Sequence, residues 1–266
     1  MVQPSRRAVL WAGVTSPALA CARRKRASSS AGAAPSPPPS PPPPDEWGGL
    51  TVAKVGTMRD DERGGTAVVL LHGWGAAGDD LVGLAHELQH PRSRFFVPAA
   101  PLPEVGGGRA WWHFDRGDRP EHAWDDRAPA RAPHPALAAS RAAVQAVLRT
   151  VRQRYAPERL CLAGFSQGAM LSLDVALAAD PAVDRVAVLS GILLVDSLPG
   201  LRAARPPRPP VFISHGRHDP VLPFAGSERA RDMLQRHGFD VSFHPFEGGH
   251  EIPGVIIGAL AEFLFA

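Results

Sequence analysis

The stretch Arg159-Leu160-Cys161-Leu162-Ala163-Gly164-Phe165-Ser166-Gln167-Gly168-Ala169 decides the fold. Its first five residues read as a short buried strand, and from Gln167 onward apolar residues recur at helical spacing. Between them stands G-x-S-x-G, in the strand-turn-helix context in which a serine is presented as a nucleophile. Such a sharp turn forces Ser166 into strained backbone dihedrals. Side chains at 164 or 168 would collide with the neighbouring strand or helix, which explains the glycines. The turn lifts the hydroxyl above the sheet and aims the amino end of the next helix at it, where the dipole and free N–H groups favour negative charge.

Outward from this turn, short apolar runs alternate with longer amphipathic stretches. Strands are expected at Leu50–Val55, Ala67–Leu71, Arg94–Pro98, Arg159–Ala163, Arg185–Leu189, Val211–Ser214 and Val241–Pro245. Helices are expected at Asp79–Gln89, Ala136–Arg154, Gln167–Ala179, Ser227–His237 and Ile252–Phe265. The alternation predicts an α/β protein with a mostly parallel central sheet flanked by helices, the first strand being open to antiparallel pairing at an edge. No internal repeat is visible. Pro101–Pro135 reads as one long irregular segment rich in Pro, Gly, Trp and charge, the kind of loop that is usually functional or disordered.

In open parallel sheets chemistry sits at the carboxyl ends of the strands. A serine hydroxyl is a poor nucleophile without a base, and the base needs an orienting acid. His250, in Glu247-Gly248-Gly249-His250-Glu251, follows the last expected strand, and Asp219, in His215-Gly216-Arg217-His218-Asp219-Pro220, follows the one before. The order Ser, Asp, His is that of α/β-hydrolases. Asp196 is the rival acid, and Asp219 is preferred because it occupies a tight strand-to-helix loop. His215 and His218 beside Asp219 could suggest a metal cluster, but their short loop offers no further ligand in register, so no metal is assigned. An oxyanion hole needs two N–H donors, each worth ~3 kcal/mol to the transition state. Gln167 supplies one candidate, and the loop His72-Gly73-Trp74-Gly75 the other, at Trp74. That loop can equally be read as a Gly-rich turn into a helix capped by Asp79 or Asp80.

The motifs LHGWG at 71–75, AGFSQGA at 163–169, SHGRHDPVLPF at 214–224 and GGHEI at 248–252 together resemble the phospholipase/carboxylesterase family of α/β-hydrolases, which includes acyl-protein thioesterases. The similarity runs over roughly Thr66 to Ala266 and extends to AWWHFD at 110–115. It implies an α/β-hydrolase fold without a large cap domain, no cofactor, and hydrolysis of short- to medium-chain carboxylic esters, with thioesters in some branches. Carried over residue by residue, it implies Ser166 as nucleophile, Asp219 and His250 as its relay, and Trp74 and Gln167 as oxyanion donors. Trp74 stands where an aliphatic residue is common and would line the acyl side of the cleft. Trp111 and Trp112 are candidate walls of the substrate cleft, or else core beneath a long loop. Gly117–Pro135 looks like an insertion.

The chain has 266 residues, 44% of them apolar, with 2 Cys and an isoelectric point near 9.4. That basicity is local. Residues 1–44 hold six cations (Arg6, Arg7, Arg23, Arg24, Lys25, Arg26) and no acid, leaving 23 cations against all 26 anions in the remainder. A slightly acidic body with no basic helix face lacks the footprint of nucleic-acid binding. Residues 1–20 read as an export signal: SRRAVL resembles a twin-arginine signal, and the apolar run Ala8–Ala20 is shorter than the ~20 residues that span a bilayer. Ala18-Leu19-Ala20 offers a cleavage pattern before Cys21, a candidate site of lipid attachment to a membrane, or else a plain thiol. Residues 21–46 form a tether in which eight of the ten residues Pro35–Pro44 are proline, a stiff polyproline II spacer of ~3.1 Å per residue. The catalytic domain is expected over 47–266.

The expectation is therefore an exported serine carboxylesterase acting on a small-molecule ester. Two alternatives stay open: an acyltransferase using the same acyl-enzyme, and a tethered binding protein on the hydrolase fold.

Overall fold

A computed structural model describes residues 45–114 and 134–266; the expected export signal, the tether through Pro44, and nearly all of Gly117–Pro135 lie outside the described residues. In chain order the elements are β1 (Asp45–Trp47), β2 (Leu50–Gly56), β3 (Thr66–Leu71), α1 (Val82–Glu87), β4 (Ser93–Pro98), β5 (Leu102–Pro103), β6 (Arg109–Ala110) and α2 (Pro135–Tyr155). They continue with β7 (Arg159–Phe165), α3 (Gln167–Ala178), β8 (Arg185–Leu189), α4 (Leu198–Ala203), β9 (Val211–Gly216), α5 (Phe224–Arg236), β10 (Val241–Phe246) and α6 (Gly254–Phe265).

Eight strands form one sheet in the order β1-β2-β4-β3-β7-β8-β9-β10, parallel from β4 to β10. The central strands are apolar without a break because both faces are covered. With side chains alternating across the pleat, Val69, Leu71, Leu160 and Leu162 pack into one core with α2 and α3. Val68, Leu70, Cys161 and Ala163 face the other, beneath α1 and α6. From β3 the chain moves outward to β4, then returns to β7 on the opposite side of β3. The loops leaving β3 and β7 therefore diverge, and a crevice opens between them. That reversal of strand order fixes where the site lies.

Two helices shape this crevice. α2 buries Leu137, Val144, Leu148, Val151 and Tyr155 at helical spacing, and it ends where Ala156 turns left-handed (φ 42°). α3 runs beneath the crevice and is buried on all sides from Gln167 to Leu177. Arg141 of α2 makes a bidentate ion pair with the buried Asp174 of α3, at 2.6 and 2.9 Å, and Ser197 Oγ donates to the same carboxylate at 2.7 Å. Burial nonetheless pushes the Asp174 carboxyl above its ordinary range, against the lowering effect of Arg141.

The structure corrects three local expectations. β2 does pair antiparallel with β4, but β1 adds outside it, so β2 is not the edge. α1 is shorter than Asp79–Gln89, and its N-cap Leu81 makes no side-chain cap; Asp79 instead accepts the Val82 N–H through its main-chain carbonyl. Within the stretch read as irregular, β5 and β6 form a hairpin, closed by Glu104 N–H to Gly108 O at 2.7 Å and stitched to the β3 loop by Gly75 N–H to Arg109 O at 2.9 Å. Two-residue strands carry no periodicity to read.

Candidate active site

Ser166 stands between β7 and α3 with φ 53° and ψ −117°, a conformation strained for any residue with a side chain. Its N–H donates to Leu189 O at 2.9 Å, while its own carbonyl accepts from Ala169 and Met170, so the turn is locked from both sides. The flanking glycines are sterically required. A Cβ at 164 would strike the Gly168 carbonyl, and one at 168 would strike the carbonyls of Leu71 and His72. This close approach sets the β3 loop directly against the serine.

The loops after β9 and β10 converge in a similar way. A Cβ at Gly216 would meet the carbonyls of Gly248 and Gly249, and His218 N–H donates to Gly248 O at 3.0 Å. The result brings the three expected residues together. His250 Nε2 lies 2.8 Å from Ser166 Oγ, and His250 Nδ1 lies 2.7 Å from Asp219 Oδ2. Because Asp219 accepts at Nδ1, that nitrogen carries the hydrogen and Nε2 is left to accept from the serine hydroxyl. The Phe165 ring packs against the imidazole with centroids 4.9 Å apart. Asp219 has a fully buried side chain whose Oδ1 accepts the N–H groups of Val221 and Leu222 at 2.8 and 2.9 Å. The rival, Asp196, belongs to a 3-10 turn at Val195–Ser197, beside the Asp174 carboxylate. His215 and His218 also diverge: His215 is buried against Asp219, whereas His218 is exposed and meets Glu247 at 3.0 Å.

On the other side of Ser166, Gly73 approaches so closely that a Cβ there would sit 3.4 Å from Ser166 Cβ. His72 holds this loop. Its ring Nε2 accepts the Ala100 N–H at 2.9 Å, so Nδ1 carries the hydrogen and donates to Gly73 O at 2.7 Å. Burial pushes the basicity of His72 down, keeping it in this neutral form. Among the described residues nothing accepts the Trp74 backbone N–H. The Gln167 N–H is the first of α3 and has no intrahelical acceptor by geometry. The Trp74 indole is 57% exposed and donates to Glu104 Oε1 at 2.8 Å, an oxygen that His113 Nδ1 also meets at 2.8 Å.

Trp111 and Trp112 are not walls of an open cleft. They are 0% and 3% exposed and belong to the core packed by α2 and α3. The physical reason is hydrogen bonding. The Trp111 indole donates to His72 O at 2.9 Å, its backbone N–H donates to Gln167 Oε1 at 3.0 Å, and Gln167 Nε2 donates to Trp112 O at 2.7 Å. The two tryptophans tie the β3 loop to the head of α3. Sequence reasoning missed the Gln167 side chain, although a polar residue opening a wholly buried helix was a signal that it needed partners.

The profile of a family described as phospholipase/carboxylesterase matches residues 54–266. The chain belongs to the phospholipase/carboxylesterase family. Among the relatives of this chain, acyl-protein thioesterase 1 of Kluyveromyces lactis is 26% identical over 195 residues, 68% of this chain and 82% of that protein. Acyl-protein thioesterase 1 of Debaryomyces hansenii is 33% identical over 93 residues, 34% of this chain. In that alignment the chain spans 40% of the relative's length. The crystal structure of esterase PE8 superposes with a TM-score of 0.66 at 27% identity, covering 81% of this chain and 97% of that one. The α/β-hydrolase architecture of the phospholipase/carboxylesterase family is thus shared across nearly the whole described region.

Proposed function

We propose that this protein is a serine carboxylesterase acting on short- to medium-chain esters. The observation that carries the reading is the continuous chain Ser166 Oγ, His250 Nε2, His250 Nδ1, Asp219 Oδ2, with links of 2.8 and 2.7 Å. Ser166 Oγ attacks the ester carbonyl carbon as its proton passes to His250 Nε2, and Asp219 stabilises the imidazolium and keeps its tautomer. The carbonyl oxygen becomes an oxyanion held by the N–H groups of Trp74 and Gln167 at the positive end of α3. Collapse breaks the C–O bond to the alcohol, which leaves with the proton from His250. Water, deprotonated by the same imidazole, then releases the acid and restores Ser166.

Thioesters fit the same machinery, since only the leaving atom changes, and the similarity to proteins named acyl-protein thioesterase favours including them. Export by the Arg6-Arg7 signal, with Cys21 as a lipidated anchor and the proline tether as a spacer, places the substrate outside the cytoplasm in this reading. The test uses the full chain and its Ser166→Ala variant with p-nitrophenyl esters from acetate to laurate, an acyl thioester, and a fluorophosphonate probe. Turnover and labelling that vanish in the variant support the esterase. Silence from a folded wild type overturns it in favour of a binding protein, and ester products with added alcohols favour acyl transfer.

A further inference from the structure

We propose that His215 is a positioning residue for this reaction, its Nε2–H fixing the Asp219 carboxylate that orients His250. The proposal rests on the serine-hydrolase reading and adds a fourth side chain to it.

His215 lies near the end of β9, four residues before Asp219, and is completely buried. Its Nε2 is 3.1 Å from Asp219 Oδ2 and 3.0 Å from Leu222 O. Both neighbours are acceptors, so Nε2 carries the hydrogen; it bonds to Leu222 O, with Asp219 Oδ2 set beside it. Leu222 in turn donates its N–H to Asp219 Oδ1 at 2.9 Å. His215, Leu222 and Asp219 therefore close around the carboxylate, Oδ1 held by the Leu222 N–H and Oδ2 facing the imidazole. Oδ2 lies between two imidazoles, 3.1 Å from His215 Nε2 on one side and accepting from His250 Nδ1 on the other.

With the hydrogen on Nε2, the other ring nitrogen bears a lone pair; the main chain of Gly191 lies beside the ring, but Nδ1 makes no well-formed hydrogen bond among the described residues. A buried orphan acceptor is unfavourable, and a leucine or phenylalanine would fill the site without it. What the imidazole supplies and an apolar ring would not is a polar N–H held by Leu222 O and set 3.1 Å from the Asp219 carboxylate. Burial also pushes its basicity down, so it remains a neutral donor while His250 exchanges protons. The titratable groups facing it are Asp219 and, beyond it, His250; the main chain of Gly191 and the edge of Phe224, with ring centroids 6.0 Å apart, also lie against it.

A donor on Oδ2 does two things. It prevents the carboxylate from rotating away from His250, and it draws off part of the charge that would otherwise hold the proton on the imidazolium. Removing it should slow turnover and strengthen the grip of Asp219 on that proton.

The test compares His215→Gln, whose amide reaches the position of Nε2, with His215→Asn, whose amide falls at Nδ1, and with His215→Phe, in the full chain. Expected for Asn and Phe is a kcat reduced roughly tenfold to a hundredfold with KM little changed. The acid limb of the kcat/KM profile should move to higher pH, and Gln should recover most of both effects. If Phe fails to fold, the Gln and Asn pair decides alone. A reduced rate with the acid limb unmoved, or equal behaviour of Gln and Asn, overturns the proposal as mere packing. A wild type silent toward all esters and the probe overturns the esterase reading and this proposal with it, whereas an active wild type matched by all three variants overturns only the role of His215.

Discussion

The Gln167 carboxamide bonds in both directions to the main chain of the Trp111–Trp112 segment, accepting the Trp111 N–H at 3.0 Å and donating to Trp112 O at 2.7 Å. The residue whose backbone N–H is proposed to hold the oxyanion thus also anchors the segment that supports the opposite donor loop through His72. Gln167→Ala should leave two buried main-chain groups unpaired, at roughly 1–3 kcal/mol for each. Urea unfolding should show that loss, and kcat should fall with it. Wild-type stability in the variant would show that the bridge is idle.

Ser166 carries the backbone strain of the turn, with φ 53° and ψ −117°. Ser166→Ala should abolish turnover while keeping both the fold and that strain, because alanine retains Cβ. Ser166→Gly should relieve it, raising stability by about 1 kcal/mol over the alanine variant after glycine's own entropic cost is counted. Thermal unfolding of the two inactive proteins side by side measures the difference. Equal melting temperatures would mean that the turn stores no strain.

Asp174 and Arg141 pair between α3 and α2 with the carboxylate almost wholly buried. Removing only the cation, in Arg141→Leu, should destabilise by about 3–5 kcal/mol because a buried charge is left alone. Replacing both partners by leucine should recover much of that. The pH sign follows from the raised Asp174 carboxyl: its contribution is complete below the unfolded value near 3.8 and is lost as pH rises through the higher folded value. The Arg141→Leu variant should therefore be relatively less impaired in acid than at neutral pH, as denaturant midpoints at pH 5 and pH 8 would reveal.

His72 has the opposite sign. Its basicity is lowered in the folded protein, so its contribution is complete above the ordinary histidine value near 6.5 and is lost as pH falls from there toward the folded value. Protonation would turn Nε2, which now accepts the Ala100 N–H, into a second donor facing it. His72→Asn keeps the Gly73 bond in reach but cannot titrate, so it should be less stable than wild type at pH 7.5 by a margin that narrows at pH 5.5. A constant margin across that range contradicts the assignment.

Cys161 is a control for covalent chemistry. It is buried and its thiol is pushed up to about 12, so thiol reagents should leave the folded protein's activity unchanged. Loss of activity at a rate matching Cys161 modification, followed by mass spectrometry, would contradict this.

The strand-turn-helix around Ser166 was legible in sequence because everything that shapes it is local: the apolar run Leu160–Ala163, two glycines at fixed offsets and a long buried helix. The β5–β6 hairpin was not, since its strands are two residues long and its register comes from Arg109 pairing with Gly75 and Ala76 of a distant loop. Trp111 and Trp112 were misplaced for a related reason. Two aromatics in a Pro- and Gly-rich segment look like a lining until α2 covers them and Ser140 Oγ donates to Trp111 O. His215 could be seen only as a neighbour of Asp219, its contact depending on how the chain turns between them.

By itself the sequence determined the alternation of strands and helices, the turn that presents Ser166, and the loops in which a base and an acid had to be sought, because these depend on periodicity and on glycines a few residues apart. Only the tertiary structure decided that Asp219 rather than Asp196 meets His250, that Gln167 holds Trp111 and Trp112 inside, and that the Asp219 carboxylate lies between two imidazoles. The contacts of Asp219 with His250, Trp111 with Gln167 and Ser166 with His250 join residues 31, 56 and 84 positions apart, and they form only when the sheet order reverses at β3 and the loops it spreads apart close over one serine.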